Sequence, residues 1–284
     1  GVYTYIKQLS QYSEKNNLKT YIIYGGERVE ENKGVLLKDF SENIELIQID
    51  MTREISVFKD LISLKKIVFE INKIKPDIIH AHSSKAGVLG RVSSIFFPKA
   101  KLFYTPHGYS FIREDISEGK KKGFKFLEKC VTFLFGGTIV ACGDQEFDEA
   151  QKMGKSILVR NGVFIDDVLS FKKESTNNKL TIGTSGSIYT PKNPELFNHI
   201  AKMLPNYDFI WIGDGELKNK LTAKNITITG WKSREETLKN VNNLDVFIST
   251  SAWEGLPFSI IEALALSKPI ISSNIKGNST TIVK

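Results

Sequence analysis

Two blocks of alternating strand-like and helix-like segments, separated by one polar stretch, constrain the fold of this chain more than any other feature. In the first block, short apolar runs such as Lys101–Thr105 alternate with longer amphipathic runs such as Val2–Glu14. A second alternation begins at Leu180–Thr184 and continues to Pro269–Ser272. Strands that alternate with helices in this way form parallel sheets covered by helices. The pattern therefore predicts an α/β protein with two doubly wound, Rossmann-like domains.

The polar stretch 166–179 has lysine, glutamate, serine and asparagine side chains and no apolar periodicity, which is typical of a linker. We therefore predict an N-terminal domain at 1–165, a linker at 166–179 and a C-terminal domain at 180–284. With 284 residues, of which 41% are hydrophobic, the chain can build two cores of ordinary size. Its first residues resemble a helix whose preceding strand is missing, and its last residues break off within the second pattern. We therefore expect a fragment of a longer protein.

Cysteine and histidine usage excludes several classes of protein. The two cysteines, Cys130 and Cys142, form neither a disulfide framework nor a metal-binding spacing, which favours a reducing cytoplasm. His80 and His82 alternate along a predicted strand and face the same side, but no third ligand accompanies them at a suitable spacing. We therefore expect neither a metal nor another cofactor. The sequence contains neither a membrane-spanning run of about 20 apolar residues nor a recognisable signal peptide.

The formal net charge of +7 lies mainly in the first block. Its densest piece, Lys120–Lys129, interleaves lysines with aromatic side chains on a predicted amphipathic helix. This composition suits peripheral contact with the anionic inner face of a plasma membrane, and an ordinary solvated helix is the alternative. Nucleic acid is an unlikely partner class, because no recognised nucleic-acid-binding module accompanies the basic residues.

The segment Glu254–Glu262 carries the strongest chemical signal. It follows the apolar run Leu244–Ser251, which reads as a buried strand, and Pro257 suits the first turn of a helix. The free N–H groups of such a loop and first helical turn can hold a phosphate at the carboxyl edge of a sheet. Alternatively, Glu254 favours the helix dipole and Glu262 lies on a solvated face.

Further motifs occur in order along the chain and make this segment more specific. They are Pro76–His82, Tyr104–Gly108, Arg160–Val163, Gly186–Ser187 with Pro191–Asn193, Ile212–Leu217, Thr229–Trp231 and Glu254–Glu262. In order and spacing, these motifs are similar to those of family 4 retaining glycosyltransferases. That resemblance implies the GT-B fold, in which two Rossmann-like domains face each other across a cleft. It covers nearly the whole chain.

The resemblance assigns a nucleotide-sugar donor site to the second domain. It implies that Lys192 binds the diphosphate, that Glu262 accepts the ribose hydroxyls, and that Glu254 contacts the hexose. Backbone amides complete the cradle for the sugar and phosphate, and the residues that supply them are Gly255, Leu256, Phe258 and Ser259.

Gly213 and Gly215 form a turn that lets a ligand approach the backbone closely, or else simply a tight connection between a strand and a helix. Trp231 lies where the family receives the nucleobase, although it can equally pack against its neighbours. The family usually has an arginine after the glycine of Gly186–Ser187, but this chain has Ser187 there. One of two cations expected at the diphosphate is therefore missing, and one such group is commonly worth about 3 kcal/mol in the transition state.

The first domain is expected to supply the acceptor side. His107 matches a family histidine that faces the donor sugar, and we predict it in the catalytic neighbourhood together with Glu254. Gly1 matches a glycine near the diphosphate. Three further residues open a predicted helix whose N-terminus can bind an acceptor phosphate, with ordinary N-capping as the alternative. These three are Ser84, Lys85 and Arg91.

The sequence thus predicts a glycosyltransferase that moves a hexose or N-acetylhexosamine from a nucleotide-sugar, with UDP favoured, to a lipid-linked or saccharide acceptor. Motifs such as Ala81–Gly87 resemble those of capsule and exopolysaccharide assembly enzymes. A noncatalytic glycosyltransferase-like subunit that stabilises a partner enzyme is the alternative, and Ser187 favours it. A nonhydrolysing sugar-nucleotide epimerase is a third reading. A nicotinamide oxidoreductase is disfavoured, because no Gly-x-Gly-x-x-Gly opens a helix.

Overall fold

A computed structural model describes residues 1–25, 40–52, 56–172 and 179–282. The chain divides into two compact units. The N-terminal unit comprises Gly1–Phe111, Glu118–Cys142 and Glu146–Val159, and the C-terminal unit comprises Ile112–Ser117, Gly143–Gln145 and Arg160–Lys284.

All strand pairs of the N-terminal unit are parallel among the described residues. Its strands are β1 (Thr20–Tyr24), β2 (Ile44–Gln48), β3 (Ile78–His82), β4 (Lys101–Thr105), β5 (Thr138–Ala141) and β6 (Ser156–Leu158). They form a two-stranded sheet, β1-β2, and a four-stranded sheet, β3-β4-β5-β6. The helices are α1 (Val2–Lys15), α2 (Val57–Ile74), α3 (Ser84–Ser94), α4 (Glu118–Phe135) and α5 (Asp144–Gln151).

The C-terminal unit has one five-stranded parallel sheet in the order β11-β10-β7-β8-β9. Its strands are β7 (Thr181–Ser185), β8 (Asp208–Ile212), β9 (Ile226–Ile228), β10 (Val246–Ser249) and β11 (Ile270–Ser272). The helices are α6 (Ile165–Leu169), α7 (Pro194–Met203), α8 (Arg234–Asn242), α9 (Phe258–Ala265) and α10 (Lys276–Ser279). The predicted α/β class with parallel sheets is confirmed.

The period of two along β8 explains how this sheet is covered on both faces. Phe209 and Trp211 pack in one hydrophobic cluster, which includes Phe197 of α7. Ile212 packs in a second cluster with Leu238 of α8 and Ile260 of α9. Each strand residue thus supports helices on its own side, which is the layering of a doubly wound domain.

Local sequence signals fix several helix starts in this unit. Asn193 adopts φ 50° and its side chain accepts the N–H of Leu196, while Pro194 occupies the first helical position of α7. At α8, Ser233 and Glu236 form a reciprocal capping box.

Two sequence predictions of local structure are wrong. The predicted helix Glu216–Ala223 is only a short 3₁₀ turn at Lys218–Lys220. The side-chain oxygen of Asn198 accepts the N–H groups of Thr222 and Ala223, at 2.7 and 2.8 Å. Those N–H groups are therefore not available to a continuing helix.

The predicted linker 166–179 also begins inside a folded element. Helix α6 covers its first residues, and Val168 is completely buried in the cluster that contains Leu238 and Ile260. Phe171, further along the same stretch, also packs against this cluster. Residues 173–178 of the predicted linker lie outside the described residues.

Candidate functional site

The switch point of the five-stranded sheet lies between β7 and β10. From β7 the chain proceeds through β8 to β9 on one side, whereas β10 and β11 lie on the other. Ligands of open α/β sheets bind outside the carboxyl ends of the strands at such a point. The loop after β7 carries Lys192, and the loop after β10 carries Glu254.

Lys192 and Glu254 form an ion pair at this point, with 2.7 Å between Nζ and Oε1. Their side chains are only 14% and 16% exposed. Burial opposes charge on the ammonium, but the carboxylate of Glu254 outweighs it and raises the pKa of Lys192 above its ordinary value. An ammonium has three donors, so the pair leaves N–H groups of Lys192 for a ligand.

A layer of hydroxyl and amide groups supports this pair. Ser251 contacts Oε1 of Glu254 at 3.1 Å, and Ser273 donates to the carbonyl of Ser251. Asn278 is completely buried and donates to both the carbonyl and the hydroxyl of Ser273. Gly277 packs so closely on the carbonyl of Glu254 that a Cβ there would clash with it. None of these supporting residues was predicted from the sequence.

The turn after Glu254 presents backbone donors. Four N–H groups in this turn and in the first turn of α9 have no hydrogen-bond acceptor among the described residues. They are the N–H groups of Gly255, Leu256, Phe258 and Ser259. Leu256 is held from the other side, because Asn161 donates to its carbonyl at 2.7 Å. Fixed, free N–H groups at a helix start favour an anion.

Glu262 lies on α9 with 7% of its side chain exposed, and Arg234 of α8 pairs with its Oε1 at 2.5 Å. The resemblance implies that Glu262 accepts the ribose hydroxyls, and in this structure one of its carboxylate oxygens already accepts a hydrogen bond from Arg234. Glu262 also contributes to the raised pKa of Lys192, so the two side chains share one electrostatic environment. Arg234 escaped sequence analysis because its role depends on a partner in the next helix.

The predicted glycines after β8 permit a close approach between two loops. Gly213 has φ 145° and lies against the carbonyl of Gly186, which also accepts the indole N–H of Trp211 at 2.8 Å. A Cβ on Gly215 would clash with the backbone of Ile188. These contacts fix the loop that precedes Lys192. Trp231, by contrast, is 61% exposed.

His107 lies in a histidine cluster in the N-terminal unit. Its Nε2 is 3.0 Å from Nδ1 of His82, its Nδ1 is 3.7 Å from the sulfur of Cys142, and Tyr5 packs edge-on against its ring. Burial lowers the pKa of His107 to about 3. Burial likewise lowers the pKa of His80 to about 4 and holds that of His82 well below its ordinary range. These rings are therefore neutral at pH 7.

Glu146 fixes the loop that carries His107. Its carboxylate accepts the N–H of Gly108 at 2.9 Å and the N–H of Cys142 at 2.7 Å. Burial raises the pKa of Glu146, and the backbone donors of Gly108, Cys142 and His107 partly offset that effect. His107 itself has φ 55°, a conformation that is uncommon for a residue other than glycine. Glu146 was not predicted, since its partners are backbone groups of two distant loops.

The structure gives Arg91 a structural role, and the predicted contact with an acceptor is corrected. Arg91 is completely buried. It donates to Glu128 at 2.7 Å, to Thr132 and to the carbonyl of Gly87. The ring of Tyr104 stacks on the guanidinium. A side chain with these contacts has no surface to offer an acceptor.

The other predicted residues of the N-terminal unit remain near its surface. Lys85 pairs with Asp60 and donates to the carbonyl of Thr52, so much of its charge is already compensated. Ser84 contacts the hydroxyl of Ser110. Gly1 precedes α1 and is exposed.

The part of the chain that the structure describes contains no group of three His, Cys, Asp or Glu side chains arranged to hold a metal ion. Among those same residues, no helix has both the length and the apolar character that crossing a membrane requires.

Two parallel α/β units, one with a buried cation and carboxylate at its switch point, define a Rossmann-like ligand-binding protein. Comparisons with known proteins narrow this class. Residues 166–284 match the family described as "Glycosyl transferases group 1", and residues 9–135 match "Glycosyl transferase 4-like". The chain belongs to the glycosyltransferases of the family 4 type, which have the GT-B fold.

Relatives of this chain include bacterial glycosyltransferases, one of them named for capsular polysaccharide biosynthesis. The chain is 29% identical to the UDP-Gal:alpha-D-GlcNAc-diphosphoundecaprenol alpha-1,3-galactosyltransferase of Escherichia coli, over 82% of this chain and 66% of that protein. It is 25% identical to the capsular polysaccharide biosynthesis glycosyltransferase CapM of Staphylococcus aureus, over 96% of this chain and 76% of CapM. The chain thus spans only about two thirds to three quarters of these relatives.

A solved structure agrees on the fold. Anabaena Alr3699/HepE in complex with UDP and glucose superposes with a TM-score of 0.72 at 15% identity. The match covers 94% of this chain and 83% of that protein.

Proposed function

We propose that this chain is the catalytic part of a retaining glycosyltransferase that transfers a sugar from a UDP-sugar to a lipid-linked saccharide during bacterial surface polysaccharide synthesis. The observation that carries the proposal is the Lys192–Glu254 pair at the switch point, beside the free amides of the following turn. The names of the relatives support the substrate classes, since one of them uses UDP-Gal and a diphosphoundecaprenol-linked acceptor.

In this proposal, the free N–H groups of Lys192 and the amides at the start of α9 bind the diphosphate. Glu262, held by Arg234, accepts a ribose hydroxyl through its second oxygen, and Glu254 contacts the sugar. The bond between the sugar C1 and the diphosphate oxygen breaks while the acceptor hydroxyl forms a bond to C1 on the same face. The acceptor proton passes to the departing diphosphate. The protein positions the reactants and stabilises charge on the leaving group.

The test is a donor panel with a defined acceptor. The protein is incubated with UDP-Gal, UDP-Glc, UDP-GlcNAc, GDP-mannose and dTDP-glucose, each with and without a GlcNAc-diphospho-lipid. Nucleotide release and the labelled lipid product are measured. We expect a UDP-sugar to raise the melting temperature and to yield a lipid-linked disaccharide with the anomeric configuration of the donor. A product of inverted configuration contradicts the retaining mechanism.

Ser187 favours a second candidate function, a noncatalytic subunit that binds a sugar nucleotide and stabilises a partner glycosyltransferase. Ser187 follows Gly186 in the loop that leads from β7 to Lys192. Its hydroxyl carries no charge to offset a leaving diphosphate. Thermal stabilisation by a UDP-sugar, with no transfer to any acceptor and no nucleotide release, would support this candidate over the enzyme.

A further inference from the structure

Two helices of the N-terminal unit turn large apolar side chains outward. On α4, Phe126 and Phe133 are 70% and 88% exposed. On α2, Phe58 is 83% exposed. More exposed apolar residues accompany them: Val57, Leu61, Ile62 and Phe69 on α2, and Leu127 and Leu134 on α4. Exposed apolar clusters of this size usually mark an interaction surface.

The topology places these residues on one side of the unit. Helices α3 and α4 each connect neighbouring parallel strands in the order β3-β4-β5, and right-handed connections put both on the same face of the sheet. Helix α3 packs against α2 on one side and α4 on the other. Directly after α3, Ile95 and Phe96 are also exposed. We call the outer faces of α2 and α4, with Ile95 and Phe96, the outer helix surface.

Lysines are interleaved with these apolar residues. Lys122, Phe126, Lys129 and Phe133 follow one another at helical spacing and form a single stripe on α4. On α2, Lys65 and Lys66 lie between Ile62 and Phe69 in sequence, and all four residues are exposed.

The carboxylates of the same two helices are already neutralised. Asp60 and Glu70 of α2 pair with Lys85 and Lys73. Glu118 and Glu128 of α4 pair with Lys121 and Arg91. Lys66 and Lys125 pair with Asp50 and Glu149 of neighbouring segments. The other lysines, such as Lys65, Lys122 and Lys129, give the outer helix surface a net positive charge around an apolar centre.

We propose that the outer helix surface docks on a membrane that contains anionic phospholipids. Lysine is depleted in protein–protein interfaces. At a bilayer surface, in contrast, lysine ammonium groups contact lipid phosphates while their stems and neighbouring aromatic rings enter the headgroup region. The Lys120–Lys129 helix was indicated by the sequence alone. The structure enlarges that hypothesis to α2 and to the C-terminal end of α4, where Phe133 is the most exposed of these side chains.

The test is sedimentation of the protein with vesicles of phosphatidylcholine alone and of phosphatidylcholine with 30 mol% phosphatidylglycerol. We expect binding to the anionic vesicles that weakens at high salt. Each lysine near such a surface is worth about 1 kcal/mol, so Lys122→Glu/Lys129→Glu should weaken binding at least about tenfold. Phe126→Ser/Phe133→Ser should weaken it comparably.

The matched control is Lys202→Glu/Met203→Ser, which changes one exposed cation and one exposed apolar residue of α7 in the other unit. It should bind vesicles like the parent protein, and melting temperatures verify that all variants fold. Equal vesicle binding by the parent and both α4 variants overturns the proposal. So does the absence of vesicle binding combined with a dimer that Phe133→Ser dissociates, since the surface is then a protein interface. Transfer to a short water-soluble acceptor analogue is measured separately, so that failure of the proposed function is distinguishable from failure of membrane docking.

Discussion

At the scale of single residues, the chemistry depends on which charges are compensated before a ligand arrives. Lys192 and Glu254 are nearly buried and paired with each other. Removing either one leaves the other as an uncompensated buried charge, which is strongly destabilising. Experiments on this pair must therefore separate stability from catalysis.

Lys192→Met should lower the transfer rate by about a hundredfold, because a fixed positive charge beside the leaving diphosphate is lost. Lys192→Arg retains the charge, and its melting temperature should be close to that of the parent protein. The double variant Lys192→Met/Glu254→Gln removes both charges and should recover stability without recovering transfer. Recovery of transfer in the double variant would contradict the assigned role. The readouts are kcat with the preferred donor and the melting temperature.

Glu262→Gln should weaken UDP binding about tenfold or more, since the carboxylate that accepts a ribose hydroxyl loses its charge. Arg234→Met should act in the same direction, because Arg234 holds Glu262 in place. Calorimetric titration with UDP measures both effects. Glu195→Gln, an exposed change on α7, is the control. Unchanged UDP affinity in Glu262→Gln would refute the ribose assignment.

The sequence predicted the residues of this pair but not their relation. Lys192 and Glu254 each belong to a local motif, so their positions at the ends of strands follow from pattern alone. Their ion pair, and that of Arg234 with Glu262, depend on strand order, which places sequence-distant loops side by side. Arg91 was misassigned for the same reason: its partners Glu128 and Thr132 lie on another helix.

At the scale of elements, two loops are held by contacts with their backbone. Glu146 accepts backbone N–H groups from the loops after β4 and β5 and thereby fixes the segment of His107. Gly277 of α10 lies against the carbonyl of Glu254. Both supports act through the backbone, and a backbone contact leaves no recognisable signature in the sequence.

Glu146→Ala should destabilise the N-terminal unit by about 1–3 kcal/mol, because two buried N–H groups lose their acceptor. Glu146→Gln keeps one acceptor oxygen and should lose less. Chemical denaturation measures the difference, and hydrogen exchange at Gly108 and Cys142 locates it. Equal exchange rates in the parent and Glu146→Ala would show that the carboxylate does not hold these loops.

Gly277→Ala should reduce transfer more than it reduces stability, because the new methyl group displaces the backbone of Glu254. The expected result is a lower kcat with a near-normal affinity for UDP. Gly119→Ala is the control, since a Cβ at Gly119 meets open space. Parent-like kcat in Gly277→Ala would mean that the loop tolerates the displacement.

At the scale of the whole molecule, buried neutral histidines make stability depend on pH. The folded-state pKa of His80 is about 4 and that of His107 about 3, against about 6.5 in an unfolded chain. Between pH 6.5 and 4 the unfolded chain therefore binds more protons than the folded one. The contribution of these histidines to the free energy of unfolding is fully present above pH 6.5. It falls with decreasing pH, by up to about 1.4 kcal/mol per pH unit for each such histidine.

Denaturation curves at pH 7.5, 6, 5 and 4.5 test this expectation. His80→Gln should flatten the decline, since it removes one of the buried rings while retaining a partner for Thr105. His199→Gln changes the exposed histidine of α7 and should leave the slope as it is. A parent-like slope in His80→Gln would exclude that ring as a source of acid sensitivity.

The fold as a whole was more predictable than its details. Alternating strand and helix patterns predicted parallel α/β units because hydrophobic periodicity is a local property of each segment. The prediction of a helix at Glu216–Ala223 was wrong, because the side chain of Asn198 on α7 accepts the backbone N–H groups of Thr222 and Ala223. The segment after Ile165 was taken for linker because its few apolar residues show no periodicity, although two of them, Val168 and Phe171, pack against the core of the C-terminal unit.

The ion pair of Lys192 with Glu254 has one further consequence. A cation that already has an anionic partner does not attract every phosphate that diffuses past it. A nucleotide diphosphate that binds the free N–H groups of Lys192 shares that cation with Glu254, which can accept a sugar hydroxyl at the same time. A ligand that offers both groups satisfies both residues at once. Free phosphate or UDP alone should therefore compete poorly with an intact sugar nucleotide, and discrimination would be built into the unliganded protein.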